Sequence, residues 1–138
     1  MALTANRELR HTAPGPEISF PVLTATHIYK GALVGLSSGY ARGLVAGDVF
    51  VGIAVEEINN AGASGAKRIG VYSGGDFYHP LASVAITDVG DPVYASADDE
   101  ITTSSGSSAV LCGAVMNYEA TNMALIRFIP TGLVAINN

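Results

Sequence analysis

Short apolar runs separated by turn-forming residues are the feature that most restricts how this chain can fold. From Ile18 onward these runs alternate with Gly, Asn, Asp and Ser at intervals of about ten residues, the pattern of small sandwiches and barrels. No stretch keeps apolar residues at helical spacing for three turns, although residues 81–87 could form a short helix. The sequence therefore predicts an all-β domain with little helix, and it leaves a small β-barrel and a sandwich-like domain as open alternatives.

The apolar runs define the predicted strands. These are Ile18–Thr24, Ala32–Leu36, Val49–Glu56, Lys67–Ser73, Phe77–Ile86, Val93–Ala95, Val110–Tyr118 and Met123–Ile129. The turns between them combine residues that tolerate positive φ with side chains that hydrogen-bond their own backbone, and they lie at residues 37–39, 59–62, 73–76, 88–92 and 104–106.

One predicted strand is apolar on both of its faces. Residues 49–55 are all apolar, so successive side chains on either side of the strand avoid water. One face is expected to meet the core. The other is expected to meet something besides water, such as another subunit.

A weak internal repeat relates the two halves of the chain. The run GALV at residues 31–34, followed by an apolar strand around Gly52, corresponds to GDPV at residues 90–93, followed by an apolar strand around Gly113. Each half reads as a turn, a hairpin and a strand that contains glycine, which indicates duplication of a β unit. Glycine-rich sequences also produce such matches by chance, so both interpretations stand.

The first 17 residues differ from the rest of the chain. They show no apolar periodicity, and the Pro-Gly-Pro run at residues 14–16 resists both helix and sheet. We therefore predict an extended N-terminal arm over residues 1–17 and a single β-rich domain over residues 18–138.

Charge is scarce in this chain. Charged residues make up 14% of it, below the roughly 25% of an ordinary soluble domain, and the net charge of −5 has the wrong sign for a general nucleic-acid binder. Two basic pairs, Arg7 with Arg10 and Lys67 with Arg68, are too sparse for nucleic acid but sufficient to dock an acidic patch on a protein. No apolar window approaches the roughly 18 to 20 residues that span a bilayer, so neither a membrane span nor a secretory signal is expected.

The sequence contains no convincing catalytic or metal-binding set. The run GLSSG at residues 35–39 matches the nucleophile elbow of hydrolases, but no helical pattern follows it, so a hairpin turn is expected. None of the histidines has a metal-ligand spacing, and these are His11, His27 and His79. His79 precedes a proline and is expected in an extended segment with partial burial. We therefore predict no catalytic, metal or cofactor site, and no enzymatic activity.

Two further groups of polar or reactive residues have structural interpretations. The consecutive acids Asp98, Asp99 and Glu100 lack the alternating ligands of a calcium loop and are expected at an exposed hairpin tip. Cys112 is the only cysteine, so it forms no internal disulfide. Its apolar neighbours predict an inert thiol in the core.

Four runs together resemble the cement or head decoration proteins of tailed phages. They are KGALV at residues 30–34, GDVFVGIA at residues 47–54, GDPVY at residues 90–94 and CGAV at residues 112–115. The resemblance covers about residues 18–129. Its most distinctive element is GDPVY, with a glycine-containing strand before it and another after the following hairpin.

This resemblance implies a small all-β (β-tulip-like) protein that binds the outer surface of an expanded phage head and locks neighbouring major capsid proteins together. Its partners would be the major capsid protein and other copies of itself, as a homotrimer, with neither nucleic acid nor membrane involved. Such proteins have no enzymatic activity and no cofactor. The resemblance places the protein on the outer capsid surface of the virion, after synthesis in the host cytoplasm.

The N-terminal arm is where the resemblance places contacts with the capsid or with a sister copy. The predicted interface consists of two basic and three apolar residues, which are Arg7, Arg10, Ile18, Phe20 and Val22. Each apolar side chain buried on binding would contribute about 1.5 to 3 kcal/mol. This contribution must outweigh the entropy lost when the arm becomes ordered.

Two other classes of protein are alternatives. One is another β module of the virion, such as a tail-tube or head-tail joining protein, which would need a hairpin long enough to reach the next ring. Residues 97–108 are the only candidate for it. The other is a secreted binding or enzymatic domain, which would need an exposed aromatic platform or a convergent polar cluster. The chain has no Trp, and its six tyrosines are scattered.

Overall fold

The computed structural model describes residues 3–103 and 110–130, which form thirteen β-strands and a short 3-10 helix at Ile86–Asp88. In chain order the strands are β1 (His11–Pro14), β2 (Glu17–Pro21), β3 (Thr26–Ile28), β4 (Leu33–Ser37), β5 (Tyr40–Gly43), β6 (Val49–Ala54), β7 (Ile58–Asn60), β8 (Arg68–Tyr72), β9 (Gly75–Pro80), β10 (Pro92–Ala97), β11 (Glu100–Thr102), β12 (Val110–Ala120) and β13 (Met123–Phe128). The prediction of an all-β fold with little helix is confirmed. No helix in the described ranges is long and apolar enough to cross a membrane.

The strands form three antiparallel sheets. The six-stranded sheet has the order β1-β9-β13-β12-β10-β11, the five-stranded sheet has the order β2-β8-β6-β4-β5, and β3 pairs with β7. The five-stranded sheet curls until its edges touch, where Val22 bridges Ala41 and the Leu23 amide donates to the Ala41 carbonyl at 3.0 Å. This single bridge does not pair the edge strands β2 and β5 along their length. Among the described residues no sheet closes into a barrel, and the architecture is sandwich-like.

Two apolar cores hold the sheets together. The first lies between the six-stranded sheet and the outer side of the curled sheet, where Leu33, Phe50 and Ile53 meet Phe77 and Phe128. The second fills the inside of the curl, under the β3/β7 pair, and its buried members are Val22, Ile28, Ala32, Val34, Ala41, Val51, Ala54, Ile69 and Val71. Burial of these side chains supplies the main driving force for folding.

The two cores explain why strand β6 is apolar on both faces. Phe50 and Ile53 lie in the first core, whereas Val51 lies in the second. The second face is covered by other residues of this chain. The expectation that another subunit covers this face of β6 is therefore wrong. The cover comes from Ile28 of β3 and Ile58 of β7, which belong to strands that the sequence analysis did not identify.

The internal repeat corresponds to two β units with the same pairing order. In the five-stranded sheet the hairpin β4/β5 is followed by β6, which pairs with β4 and β8. In the six-stranded sheet the hairpin β10/β11 is followed by β12, which pairs with β10 and β13. Val34 pairs with Gly52 and Val93 pairs with Gly113, and a register shift follows each valine. The repeated sequence pattern therefore has a counterpart in the topology.

Gly52 and Gly113 occupy equivalent places because the backbone of a neighbouring strand passes close to each of them. A Cβ atom at Gly52 would collide with the carbonyl oxygen of Tyr72, and one at Gly113 would collide with the carbonyl oxygen of Arg127. Gly52 also has a φ of 149°, which residues with a side chain rarely adopt. Glycine is thus required at the same step of both units.

The eight predicted strands are all present, but their bounds differ from those expected. The largest difference concerns Phe77–Ile86, because β9 ends at Pro80 and Ser83 turns the chain with a φ of 60°. Asn59 and Asn60 were predicted in a turn and instead belong to β7. The other strands are too short to show a period, which explains why β1, β3, β5, β7 and β11 were missed. The predicted turn at residues 104–106 lies outside the described residues.

The N-terminal segment is joined to the six-stranded sheet and to the connection between β3 and β4. β1 pairs with β9, the Arg7 amide donates to the Lys30 carbonyl at 2.9 Å, and the Tyr78 amide donates to the Arg10 carbonyl at 2.8 Å. β2 begins at Glu17, next to the predicted boundary. The division into residues 1–17 and 18–138 stays a prediction, and residues 1–2 and 131–138 are outside the described ranges.

Candidate functional site

The outer face of the six-stranded sheet is the candidate functional surface. Strand pairing places side chains from β9, β10, β12 and β13 on this face, opposite the first core. Leu111 lies beside Tyr94, and Leu125 lies beside Tyr78. Ile129 lies next to β12, because its amide donates to the Cys112 carbonyl at 2.9 Å. These apolar side chains share the outer face with Arg127, which lies opposite Ala114 on one side and Asp76 on the other.

This surface is open to solvent in the described chain. Leu111 is 36% exposed, Met116 is 38% exposed and Ile129 is 40% exposed. Tyr78, Tyr94, Ala114, Met123 and Leu125 are half-buried. Apolar side chains grouped on one outer sheet face are typical of a site for another macromolecule.

Two ion pairs lie on the same face. Arg127 donates from Nε and Nη2 to the two carboxylate oxygens of Asp76, at 2.8 and 3.0 Å. Arg10 stacks over the ring of Tyr78, with its Cζ 3.7 Å from the ring centroid, and pairs with Glu119 at 3.2 Å. The Arg127 hydrogen bonds lower the pKa of Asp76. Each cation is thus neutralised by a carboxylate of the same chain.

The residues predicted as an interface do not form one patch. Arg10 lies on the outer face of the six-stranded sheet, whereas Ile18 and Phe20 lie on β2, at an edge of the five-stranded sheet. Ile18 is 40% exposed, Phe20 is half-buried against the second core, and Val22 is fully buried in that core. Their role in binding stays a prediction.

Arg7, the fifth predicted residue, is bound inside the molecule. Its Nε donates to the Gly31 carbonyl and its Nη2 donates to Nε2 of His79, both at 2.9 Å. His79 bonds the Pro80 carbonyl through Nδ1 at 2.8 Å. Because a guanidinium only donates and a carbonyl only accepts, the His79 ring is neutral with its proton on Nδ1.

The expected partial burial of His79 is wrong, because the side chain is fully buried. Burial, followed by the charge of Arg7, lowers the pKa of His79 to about 3. Its role is therefore to accept the hydrogen bond from Arg7. The sequence offered no signal for this pairing, since the two residues are far apart in the chain.

The expected exposure of Asp98 is also wrong. Asp98 is buried and accepts a hydrogen bond from the Leu3 amide at 2.9 Å, and burial raises its pKa. The expected position of Cys112 in the core is confirmed, because the residue is fully buried, and burial raises the pKa of its thiol. Among the described residues no group of three or more His, Cys, Asp or Glu side chains could hold a metal ion.

Sequence reasoning missed the open face, although a signal for it was present. Residues 123–129 are apolar at nearly every position, so the strand carries hydrophobic side chains on its outer side as well as toward the core. Only Arg127 interrupts this pattern. Residues 49–55 were selected because both faces of that strand are apolar, and the same criterion also selects β13.

A nearly all-β, sandwich-like fold with apolar side chains on an outer sheet face fits a protein that binds another macromolecule through that face. The family model of the phage cement proteins matches residues 12–130, so this chain belongs to the phage cement protein family. It is a capsid-associated structural protein of a phage virion. The resemblance noted in the sequence is confirmed, and the alternative of a tail-tube or head-tail joining protein is not favoured.

The fold is similar to that of a phage head fiber protein whose structure has been solved. The N base of the head fiber gp8.5 of bacteriophage phi29 aligns with a TM-score of 0.51 and 15% sequence identity, over 83% of this chain and 96% of that one. At this identity the likeness concerns the fold alone. The search of curated proteins found no match to this chain.

Proposed function

We propose that this protein binds the outer surface of the phage head and cements the lattice of major capsid proteins. The observation that carries the proposal is the open apolar face of the six-stranded sheet, formed by residues such as Leu111, Met116 and Ile129. A protein that stabilises a shell needs surface to bury against it. Membership of the phage cement family supports the same function.

We also propose that the protein acts by binding alone, without catalysis or cofactor. It assembles as a homotrimer and is made in the host cytoplasm before it joins the virion. Several weak contacts per assembly then combine into firm attachment, since linked binding events reinforce one another. The acidic net charge of −5 would keep the protein soluble before assembly.

Co-sedimentation with expanded heads that lack cement protein tests the function. We expect saturable binding of the purified full-length chain, and decorated heads that release DNA at a higher temperature than bare heads. An unrelated acidic protein of similar size serves as the control. The number of bound copies would also report whether trimers occupy three-fold positions. Heads that bind no copies, or that gain no resistance to heat, would contradict the proposal.

A further inference from the structure

We propose that the open face of the six-stranded sheet docks against an apolar β surface of the major capsid protein. This inference rests on the proposed function and names the surface used for it. The equivalent face of the five-stranded sheet packs against the six-stranded sheet inside this molecule. That internal interface indicates that the open face fits the apolar face of another sheet.

The internal repeat shows which residues of the two faces are equivalent. Gly52 and Gly113 fix the alignment, because each lets a neighbouring backbone approach at the same step of its unit. Phe50 then corresponds to Leu111, and Ile53 corresponds to Ala114. The strand pairing supports this alignment, because Ile53 lies opposite Tyr72 and Ala114 lies opposite Arg127. Tyr72 and Arg127 are the residues whose carbonyl oxygens approach Gly52 and Gly113.

The two equivalent faces have different surroundings. Phe50 and Ile53 are buried, because the six-stranded sheet covers them and forms the first core. Leu111 is exposed and Ala114 is half-buried, since no sheet of the described chain covers them. The face of the second unit thus has the apolar character of a sheet interface but lacks the covering sheet.

The charges on the open face indicate an apolar partner surface. Arg10 and Arg127 are the cations of this face, and both are already paired, with Glu119 and Asp76. A strongly charged partner would have to break these pairs or leave its own charge uncompensated on burial, which is costly. A neutral surface leaves both pairs intact, and its apolar contacts with residues such as Leu111, Met116 and Ile129 must outweigh the cost of removing water from the paired ions.

A second copy of this chain offers an uncovered apolar sheet face only through its own open face. The inner side of its six-stranded sheet is already filled by Leu33, Phe50 and Ile53 of the five-stranded sheet. The inside of its curled sheet is filled and covered by β3 and β7. Pairing of two open faces uses the same patch on both copies and closes a dimer, which does not give the proposed homotrimer. We therefore assign the apolar sheet face to the major capsid protein, the other partner that the proposed function supplies.

Paired substitutions in the full-length protein test this inference. Leu111→Asp places a charge in the open face, and Leu111→Met keeps the position apolar. Val45→Asp is the matched control, because Val45 is 47% exposed and precedes β6 of the other large sheet. Melting temperatures confirm that each variant is folded. Binding to undecorated expanded heads is measured by co-sedimentation, and self-association is measured by sedimentation velocity.

We expect Leu111→Asp to weaken head binding by about tenfold to a hundredfold, the equivalent of one buried apolar side chain. Leu111→Met and Val45→Asp are expected to bind as the unmodified protein does. If the unmodified protein binds heads and Leu111→Asp binds equally well, the docking surface is wrong while the proposed function stands. If Leu111→Asp instead dissociates oligomers in solution, the occupant of the face is a second copy. If the unmodified protein binds no heads, both the proposed function and the proposed docking surface are wrong.

Discussion

His79 shows how tertiary contacts decide what an ionisable residue does. Its ring accepts a hydrogen bond from Arg7 and donates one to the Pro80 carbonyl, and both polar atoms are thereby satisfied in a fully buried position. A protonated ring would lose the Arg7 bond and would face its positive charge. Neutral His79 therefore holds the N-terminal segment in place through its hydrogen bond with Arg7.

Acidification is expected to destabilise the protein through His79. The pKa of His79 is about 3 in the folded protein and about 6.5 when unperturbed, so the unfolded chain binds a proton that the folded chain excludes. The contribution to stability is complete above pH 6.5 and is lost as the pH falls towards 3, by about 1.4 kcal/mol per pH unit. Urea unfolding between about pH 7 and pH 5 measures this slope.

The variant His79→Gln is the control, because it keeps hydrogen-bonding groups but does not titrate. Burial raises the pKa of Asp98, which acts in the opposite direction, but Asp98 is present in both proteins. The difference between their slopes therefore reports His79. Equal pH dependence of the two proteins would contradict the prediction.

Cys112 is expected to be unreactive in the folded protein. Its side chain is fully buried, its thiol donates to the Val93 carbonyl at 3.6 Å, and burial raises its pKa. Since the thiolate is the reactive form, alkylation should be slow in buffer and fast in denaturant. Mass spectrometry after treatment with iodoacetamide measures both rates. Rapid labelling of the folded chain would show that the thiol is accessible.

Among the elements, the strands with clear patterns are those that the sequence predicts. β6, β8, β12 and β13 each contain a run of apolar residues between turn signals, and all were identified. β3 and β7 are three residues long and carry no period, yet they cover the second core. Short strands form because a neighbouring strand offers hydrogen bonds, and that neighbour is distant in sequence.

Gly113→Ala is expected to destabilise the six-stranded sheet. The added methyl group would collide with the carbonyl oxygen of Arg127, so β12 and β13 must separate. Overpacking of this kind costs about 1 to 3 kcal/mol. Gly62→Ala is the control, because a Cβ there meets its neighbours at ordinary distances. Denaturant unfolding of the two variants should differ, and similar stabilities would show that the strands adjust without cost.

At the scale of the whole molecule, the N-terminal segment connects the layers. Arg7 bonds to Gly31, next to the five-stranded sheet, and to His79 of the six-stranded sheet. Leu3 bonds to Asp98, and Asn6 bonds to Glu57 at 2.9 Å. This part of the chain therefore contributes to the fold itself, whatever it contacts in the virion.

A chain that begins at His11 is expected to be less stable than the full chain. Its loss of Arg7 and Leu3 leaves His79 and Asp98 buried without these hydrogen bonds. Each unsatisfied group costs about 1 to 3 kcal/mol, so the free energy of unfolding should fall by about 2 to 6 kcal/mol. Urea unfolding measures the change. The variant Arg10→Ala removes only an exposed ion pair and ring contact and should lie within about 1 kcal/mol of the full chain. A shortened chain as stable as the full one would disprove this role.

The candidate site was less predictable than the fold. Arg10 was identified from its charge, and it does lie on the open face. Val22 was identified from its apolar character, but that character is used in the second core. The sequence pattern of an apolar residue is the same whether the residue packs in the core of its own chain or in an interface with a partner. Only the packing of the described chain separates these two cases.

The sequence by itself determined the β class and the positions of the main strands along the chain, because turn residues and apolar runs act over a few neighbouring positions. The family followed from the resemblance of four short runs, such as GDPVY at residues 90–94. The tertiary structure alone decided that the five-stranded sheet curls around its own core, that His79 and Asp98 are buried, and that one face of the six-stranded sheet stays open. These features depend on contacts between residues far apart in the chain. Local pattern carries no information about which distant segment will cover a given face.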